Sequence, residues 1–301
     1  MQLWVPITIA AAFSQNLRFM LQKHLKATRL STTGATFARF VYSAPLVALL
    51  LLAYLRATGR ALPDVPAIFW ACALSGALAQ ILATLCVVAL FGERNFAVGI
   101  TFKKTEVVQT AIISFLVLAE GISKSGIMAI AVGFVGVVLL SDPPSNDGRR
   151  WHRRILNRAA GLGLLSGILF AISATGYRGA SLSLGPADFL LRAGYTLAVV
   201  TAFQTLVMGV WLALRDRGEI RRVFRHWRIA GLVGITSMLG SFGWFTAFTL
   251  QNAAYVKALG QIELLFSFLA GVFVFREKTS RREMAAMGLI SFSILILILV
   301  I

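Results

Sequence analysis

NFAVGITFKKTEVVQTAIISFLVLAE, residues 95–120, is followed 157 positions later by NAAYVKALGQIELLFSFLAGVFVFRE, residues 252–277. In this register Asn95 falls on Asn252, Ala97 on Ala254, Glu106 on Glu263 and Glu120 on Glu277. Polar positions held in register are hard to attribute to apolar composition. Each copy carries one carboxylate near its middle and another where the apolar run ends. A carboxylate deep in a bilayer is costly and marks a functional site by default. A duplicated one points to internal repetition, the usual construction of secondary transporters.

Working outward, the chain has 301 residues, 58% hydrophobic and 14% charged, with a mean hydropathy of +0.80. That composition specifies a polytopic membrane protein. Its net charge of +17 sits mainly in short loops between apolar runs, where membrane orientation accounts for it, and no basic domain suited to nucleic acid is present. Cys72 and Cys86 lie in one apolar segment and read as core residues. His24, His152 and His226 fall near loops, so neither a metal centre nor a catalytic triad is expected. No cofactor is expected, and no P-loop is present for ATP.

Counting spans of about 20 apolar residues gives ten: 3–22, 33–55, 67–91, 96–118, 124–141, 159–181, 187–214, 229–251, 253–275 and 282–301. The expected fold is all-α, ten transmembrane helices in two five-helix repeats. Residues 1–141 form the first repeat, 142–158 a basic linker rich in Pro, Gly and charge, and 159–301 the second. At an offset of 153, Arg39 and Tyr42 in FARFVY fall on Arg192 and Tyr195 in LLRAGY. An odd number of spans per half turns the second half over, giving an inverted repeat. Spans five and ten carry no internal charge and read as peripheral, and Gly163-x-x-x-Gly167 offers span six a close-packing face.

Basic residues orient the chain. Odd-numbered loops hold nineteen: Lys23, Lys26, Arg29, Arg94, five arginines from Arg149 to Arg158, six from Arg215 to Arg228, and Arg276, Lys278, Arg281 and Arg282; even-numbered loops hold four, Arg56, Arg60, Lys124 and Arg178. The bias places the odd loops in the cytoplasm and both termini outside an inner (plasma) membrane of bacterial type.

Taken together, TEVVQ…LVLAE and QIELLFS…GVFVFRE resemble the EamA-type branch of the drug/metabolite transporter superfamily. The resemblance implies ten helices in two inverted five-helix repeats and transport, often export, of amino acids or other small metabolites. Glu120 and Glu277 match the family's glutamate at the end of the fourth helix of each repeat, and Glu106 and Glu263 match one that often precedes a proline. Here Val107 and Leu264 replace that proline. Terminal orientation also departs from the cytoplasmic termini common among relatives.

Glu120 and Glu277 read as loop anchors beside Lys124 and Arg276 or Lys278. Glu106 and Glu263, about ten residues or ~15 Å deep, read as coupling candidates or as paired charges pinning the repeats together. Lys103 shares a helical face with Glu106, Lys104 is one step round, and Lys257 lies on a different face from Glu263. Arg39 and Arg192 either enter the interior or snorkel. Arg18, Arg39, Lys103, Lys104, Arg192 and Lys257 against Glu106 and Glu263 leave four positive charges in excess, which favours a zwitterion or carboxylate over a lipophilic cation. Gln15, Asn16, Gln80, Thr84, Tyr177, Ser241, Trp244, Asn252 and Gln261 are polar or amphipathic positions able to line a wet cavity. The expected solute site combines Gln15, Gln80, Thr84, Lys103, Glu106, Ser241, Trp244, Lys257, Gln261 and Glu263. Rival readings are a flippase for lipid-linked substrates, a cation efflux pump and, least supported, a membrane-embedded enzyme.

Overall fold

A computed structural model describes residues 2–92, 102–141, 158–266 and 281–300. Asn95, Glu277, Asn146, Arg276, Lys278 and residues 142–157 of the linker lie outside the described residues.

Eleven helices are described: α1 (Trp4–Thr28), α2 (Thr32–Thr58), α3 (Ala67–Leu90), α4 (Glu106–Leu118), α5 (Lys124–Ser141), α6 (Arg158–Ser183), α7 (Phe189–Arg215), α8 (Arg217–Arg225), α9 (Trp227–Leu250), α10 (Ala253–Leu259) and α11 (Arg281–Val300). The count exceeds ten because the arginine-rich segment between the seventh and eighth spans, expected as a loop, forms the short helix α8. Asp216 caps it, its carboxylate accepting from Glu219 N–H at 3.2 Å.

Five helices, α2, α3, α6, α7 and α9, are long and apolar enough to cross a membrane, and α4, α5 and α11 are shorter apolar helices. Local chemistry sets their ends. Ser31 accepts from Gly34 N–H at the start of α2 and Gly59 ends it at φ 65°; Asp188 accepts from Leu191 N–H at the start of α7. Apolar side chains such as Leu49, Phe115, Leu116, Leu214 and Leu299 are exposed, as expected where the solvent is lipid.

The most extensive pairings are α3 with α6, α5 with α11 and α1 with α9, followed by α2 with α7 and α9, and α4 with α6. Small residues permit the closest of these. A Cβ on Gly176 of α6 would stand 2.7 Å from the Cys72 carbonyl oxygen of α3, so this crossing admits only glycine without a shift of backbone. Gly167 faces α4 and the turn before it: its Cβ would meet Gln109 Oε1 at 2.6 Å and the Lys103 carbonyl at 3.2 Å. Cys72 and Cys86 are free, half-buried thiols rather than fully enclosed core residues. α5 and α11, expected to be peripheral, pack on one another while keeping Val135, Leu295 and Leu299 exposed.

Candidate functional site

The two glutamates singled out by the repeat each follow an interruption of helix. In the first half, a turn at Lys104–Thr105 precedes α4. Thr105 Oγ1 donates to the Phe102 carbonyl at 2.6 Å, a local bond that competes with regular helix. Glu106 then occupies the first turn of α4, where the helix dipole favours a carboxylate. In the second half, α10 begins at the Asn252 cap and ends at Gly260. Tight bonds follow, from Gln261 N–H to Ala258 at 3.1 Å and from Glu263 N–H to Gly260 at 3.2 Å. Replacement of the family's proline by Val107 and Leu264 therefore does not remove the breaks. Asn252 serves as the α10 cap rather than as a cavity residue.

These breaks gather charge. Lys104 pairs with Glu263, Lys257 Nζ stands 3.8 Å from Glu106 Oε1 and Lys103 Nζ is 3.6 Å from Glu106 Oε2. Each half thus supplies a lysine to the other half's glutamate, a crossing that helical spacing alone does not reveal. Gln15 Nε2 donates to Glu263 Oε2 at 3.2 Å, and Arg18 Nη2 donates to Gln15 Oε1 at 3.4 Å. Lys103, Lys104, Glu106 and Lys257 are all buried. Both of the ion contacts of Glu106 exceed ordinary hydrogen-bond length, and its Oε2 accepts no hydrogen bond.

Beside this cluster lies a cavity of about 20 Å³ lined by residues of α1, α2, α3, α6, α9 and α10. Gln15, Gln80, Ser241, Trp244 and Lys257, all expected from the sequence, face it. Arg39 joins them: rather than snorkelling it is buried, its Nε donating to Ser237 Oγ at 3.2 Å and its Nη1 to Thr84 Oγ1 at 2.8 Å. Thr84 therefore reaches the site through Arg39. Tyr177 OH donates to Gln80 Oε1 at 3.0 Å, and buried Gln204 of α7 donates to the same oxygen at 2.8 Å. The indole Nε1 of Trp244 is buried without a hydrogen-bond partner, and Lys257 Nζ lies 5.1 Å from a Trp244 ring centroid.

Several expectations need correction. Gln261 faces a smaller space, about 10 Å³, shared with Lys104 and with residues of α5 and α11. Arg192 sits in the first turn of α7 and, like Glu263, is only partly buried, so in this region five buried cations, Arg18, Arg39, Lys103, Lys104 and Lys257, stand with one fully buried carboxylate, Glu106. Glu120 pairs with Arg178, not with Lys124: Arg178 Nε donates to both of its carboxylate oxygens at 2.7 Å. Arg178, counted as a loop residue, lies within α6 and also donates to the Phe248 and Gln251 carbonyls at 2.6 Å. Phe170, Ser173, Ser237 and Gln204 were missed. Spacing marks three of them: Phe170 and Ser173 with Tyr177, and Ser237 with Ser241 and Trp244, recur at three- and four-residue intervals on one helical face, whereas Gln204 carries no such signal.

The cavity's chemistry follows from its lining. Arg39 and Lys257 line it, Glu106 and Glu263 do not, and hydroxyl, amide and indole groups supply donors. In this conformation it has room for about one water molecule, so admitting a solute requires the helices to separate. A far larger hollow, about 1130 Å³, opens between residues 60–66 and 183–191 and shares no lining residue with the buried cluster. Its loop setting makes it a surface feature rather than the centre of the chemistry.

Residues 2–142 match the model of the EamA-like transporter family. No curated protein matches the sequence. A solved crystal structure of another protein superposes with a TM-score of 0.64 at 15% identity, covering 97% of this chain and 99% of that one, which shows a shared fold.

Proposed function

From the premise that residues 2–142 belong to the EamA-like transporter family, within the drug/metabolite transporter superfamily, we propose that the chain is a secondary transporter of a small organic solute bearing a carboxylate. An amino-acid-like zwitterion is included, and export is the direction the resemblance favours. The observation that carries this reading is the cavity faced by Arg39 and Lys257, with the unpartnered Trp244 N–H beside them and neither central glutamate in its wall. A lipophilic cation would need an available carboxylate there, so cation efflux is disfavoured.

Transport proceeds by alternating access between two inverted halves. Helix pairing supports that arrangement. If α1, α2, α3, α4 and α5 correspond to α6, α7, α9, the α10 region and α11, exchanging the halves turns the α3–α6 pair into α9–α1 and returns α5–α11, α2–α7 and α4–α10 to themselves, and all of these pairs are in contact. Discontinuous helices beside the site support it further, because such breaks form binding sites at the interface of transporter repeats. Solute carboxylate would take Lys257 and Arg39, competing with Glu106 for the lysine. Glu106 and Glu263 are the coupling candidates.

The test is thermal stabilisation of purified protein across monocarboxylates, amino acids and lipophilic cations, since a ligand that binds only the folded state raises its stability by mass action. Stabilisation by a carboxylate or zwitterion, with none from ethidium-like cations, is expected. Stabilisation by cations alone would overturn the charge assignment, and by lipid-linked substrates alone would favour a flippase.

A further inference from the structure

The segment between α7 and α9 is a built surface whose chemistry the solute site does not use. α8 turns one face inward: Val223 and Glu219 are buried, and Glu219 Oε1 accepts from Ser31 N–H at 2.6 Å and from Ser31 Oγ at 2.7 Å at the start of α2. Arg222 Nε donates to the same carboxylate at 2.6 Å, and the Tyr42 and Phe224 rings meet edge-on at 5.9 Å. With that face fixed, Arg217, Arg221 and Arg225, spaced four apart, form a stripe on the outer face, and all three are exposed. Arg217 Nε donates to the Ala213 carbonyl at 2.9 Å, but none of the three forms an ion pair among the described residues. Phe224, three residues from Arg221, is 50% exposed, and Trp227 is 61% exposed. Arg215, ending α7, and Arg228, in the first turn of α9, extend the basic surface at both sides.

Because α7 and α9 are membrane-length helices, the intervening stretch from Asp216 to His226 is held within a turn or two of the bilayer surface. Exposed aromatics there sit at headgroup level, and arginines forming no ion pair of their own there meet lipid phosphate. We propose that the outer face of α8 is a binding site for anionic phospholipid headgroups, with Arg217, Arg221 and Arg225 contacting phosphate and Phe224 and Trp227 seated at the acyl boundary. Seating α8 on lipid also holds the first turn of α2, through Glu219 and Ser31, and α2 carries Arg39.

The experiment measures lipid retained by full-length protein, by native mass spectrometry from mixed micelles of phosphatidylglycerol and phosphatidylcholine. Phosphatidylglycerol is expected to be retained preferentially. R217Q/R221Q/R225Q should lower its affinity by ~100-fold, about five-fold for each arginine near an anionic surface, whereas R217K/R221K/R225K should keep most of it. Because the three side chains are exposed, an unchanged melting temperature in phosphatidylcholine checks that the glutamine variant is folded. Equal retention of the two lipids, equal retention of phosphatidylglycerol by wild type and the glutamine variant, or loss in the lysine variant as complete as in the glutamine variant would overturn the proposal. Displacement by equimolar glycerol phosphate would reassign the surface to a free phosphate ligand.

Discussion

Lys257 stands between two claims on its charge, Glu106 at 3.8 Å and the cavity it lines. Removing it deprives a solute carboxylate of a buried partner while Lys103 still faces Glu106. Breaking such a pair costs about 3–5 kcal/mol, so Lys257→Ala should weaken solute binding roughly a hundred- to a thousand-fold or more. Lys124→Ala, at the exposed start of α5, should leave it unchanged; calorimetric titration of both variants decides. Trp244→Phe removes the N–H together with part of the indole ring, so a loss of at least about 1 kcal/mol, some five-fold, is expected in the same measurement. For coupling, gradient-driven uptake into proteoliposomes is the readout. Glu106→Gln or Glu263→Gln should abolish accumulation while sparing solute exchange, and unchanged accumulation in both would leave the two glutamates as pins between the halves. The sequence made these residues legible because a charge inside an apolar run is conspicuous. Which lysine meets which glutamate was not legible, since the pairs cross between segments more than 150 residues apart and depend on how the halves pack.

At the scale of elements, hydropathy placed the long helices within a few residues, because each is a continuous apolar run between cap or loop residues. The exception is α1, which runs to Thr28, six residues past the expected 3–22, through a polar last turn and a half. It failed at α8, where nine residues rich in arginine carry no membrane signal and only the Asp216 cap and the spacing of Glu219 and Val223 hint at a helix. The breaks beside Glu106 and Glu263 were also obscured, because the expected marker was proline and the interruptions instead come from local hydrogen bonds and from Gly260. A Cβ on Gly260 would lie 2.5 Å from the Trp244 ring, so Gly260→Ala should push the indole into the cavity and weaken solute binding, with stability altered less than affinity. Loop-side pairing offers a pH test. Tyr54 OH donates to Asp188 Oδ2 at 2.5 Å and Arg60 Nη1 lies 2.9 Å from the same oxygen. Desolvation pushes the Asp188 carboxyl upward, but the Tyr54 bond, the Leu191 N–H and Arg60 outweigh it and hold the group below its ordinary value. A depressed carboxyl contributes stability that is fully present above its unfolded pKa, about 3.9, and is lost as pH falls through the lower folded value. Thermal melts between about pH 5 and 3 should therefore fall more steeply for wild type than for Asp188→Asn.

Across the whole molecule, orientation follows from charge rather than from the fold, because the inverted repeat proposed above would present the same scaffold whichever way up it was inserted. Nineteen basic residues in odd-numbered loops stand against four in even-numbered ones; Lys23 and Lys26 of α1, like Arg178 of α6, lie within the ends of their helices, so the bias keeps its sign. Among the described residues, α8 with its exposed arginines and Lys23 and Arg29 at the end of α1 belong to the odd side, and the Arg60–Pro66 stretch to the even side. Arginine and lysine resist translocation, so the odd side should face the cytoplasm. Ala61 and Gly218 are both exposed and report on opposite sides. With Cys72 and Cys86 replaced, Ala61→Cys should react in intact cells with an impermeant maleimide, and Gly218→Cys only after the membrane is opened. The reverse pattern would put α8 and its basic stripe outside, refuting the charge rule for this chain while leaving the cavity between the halves unaltered.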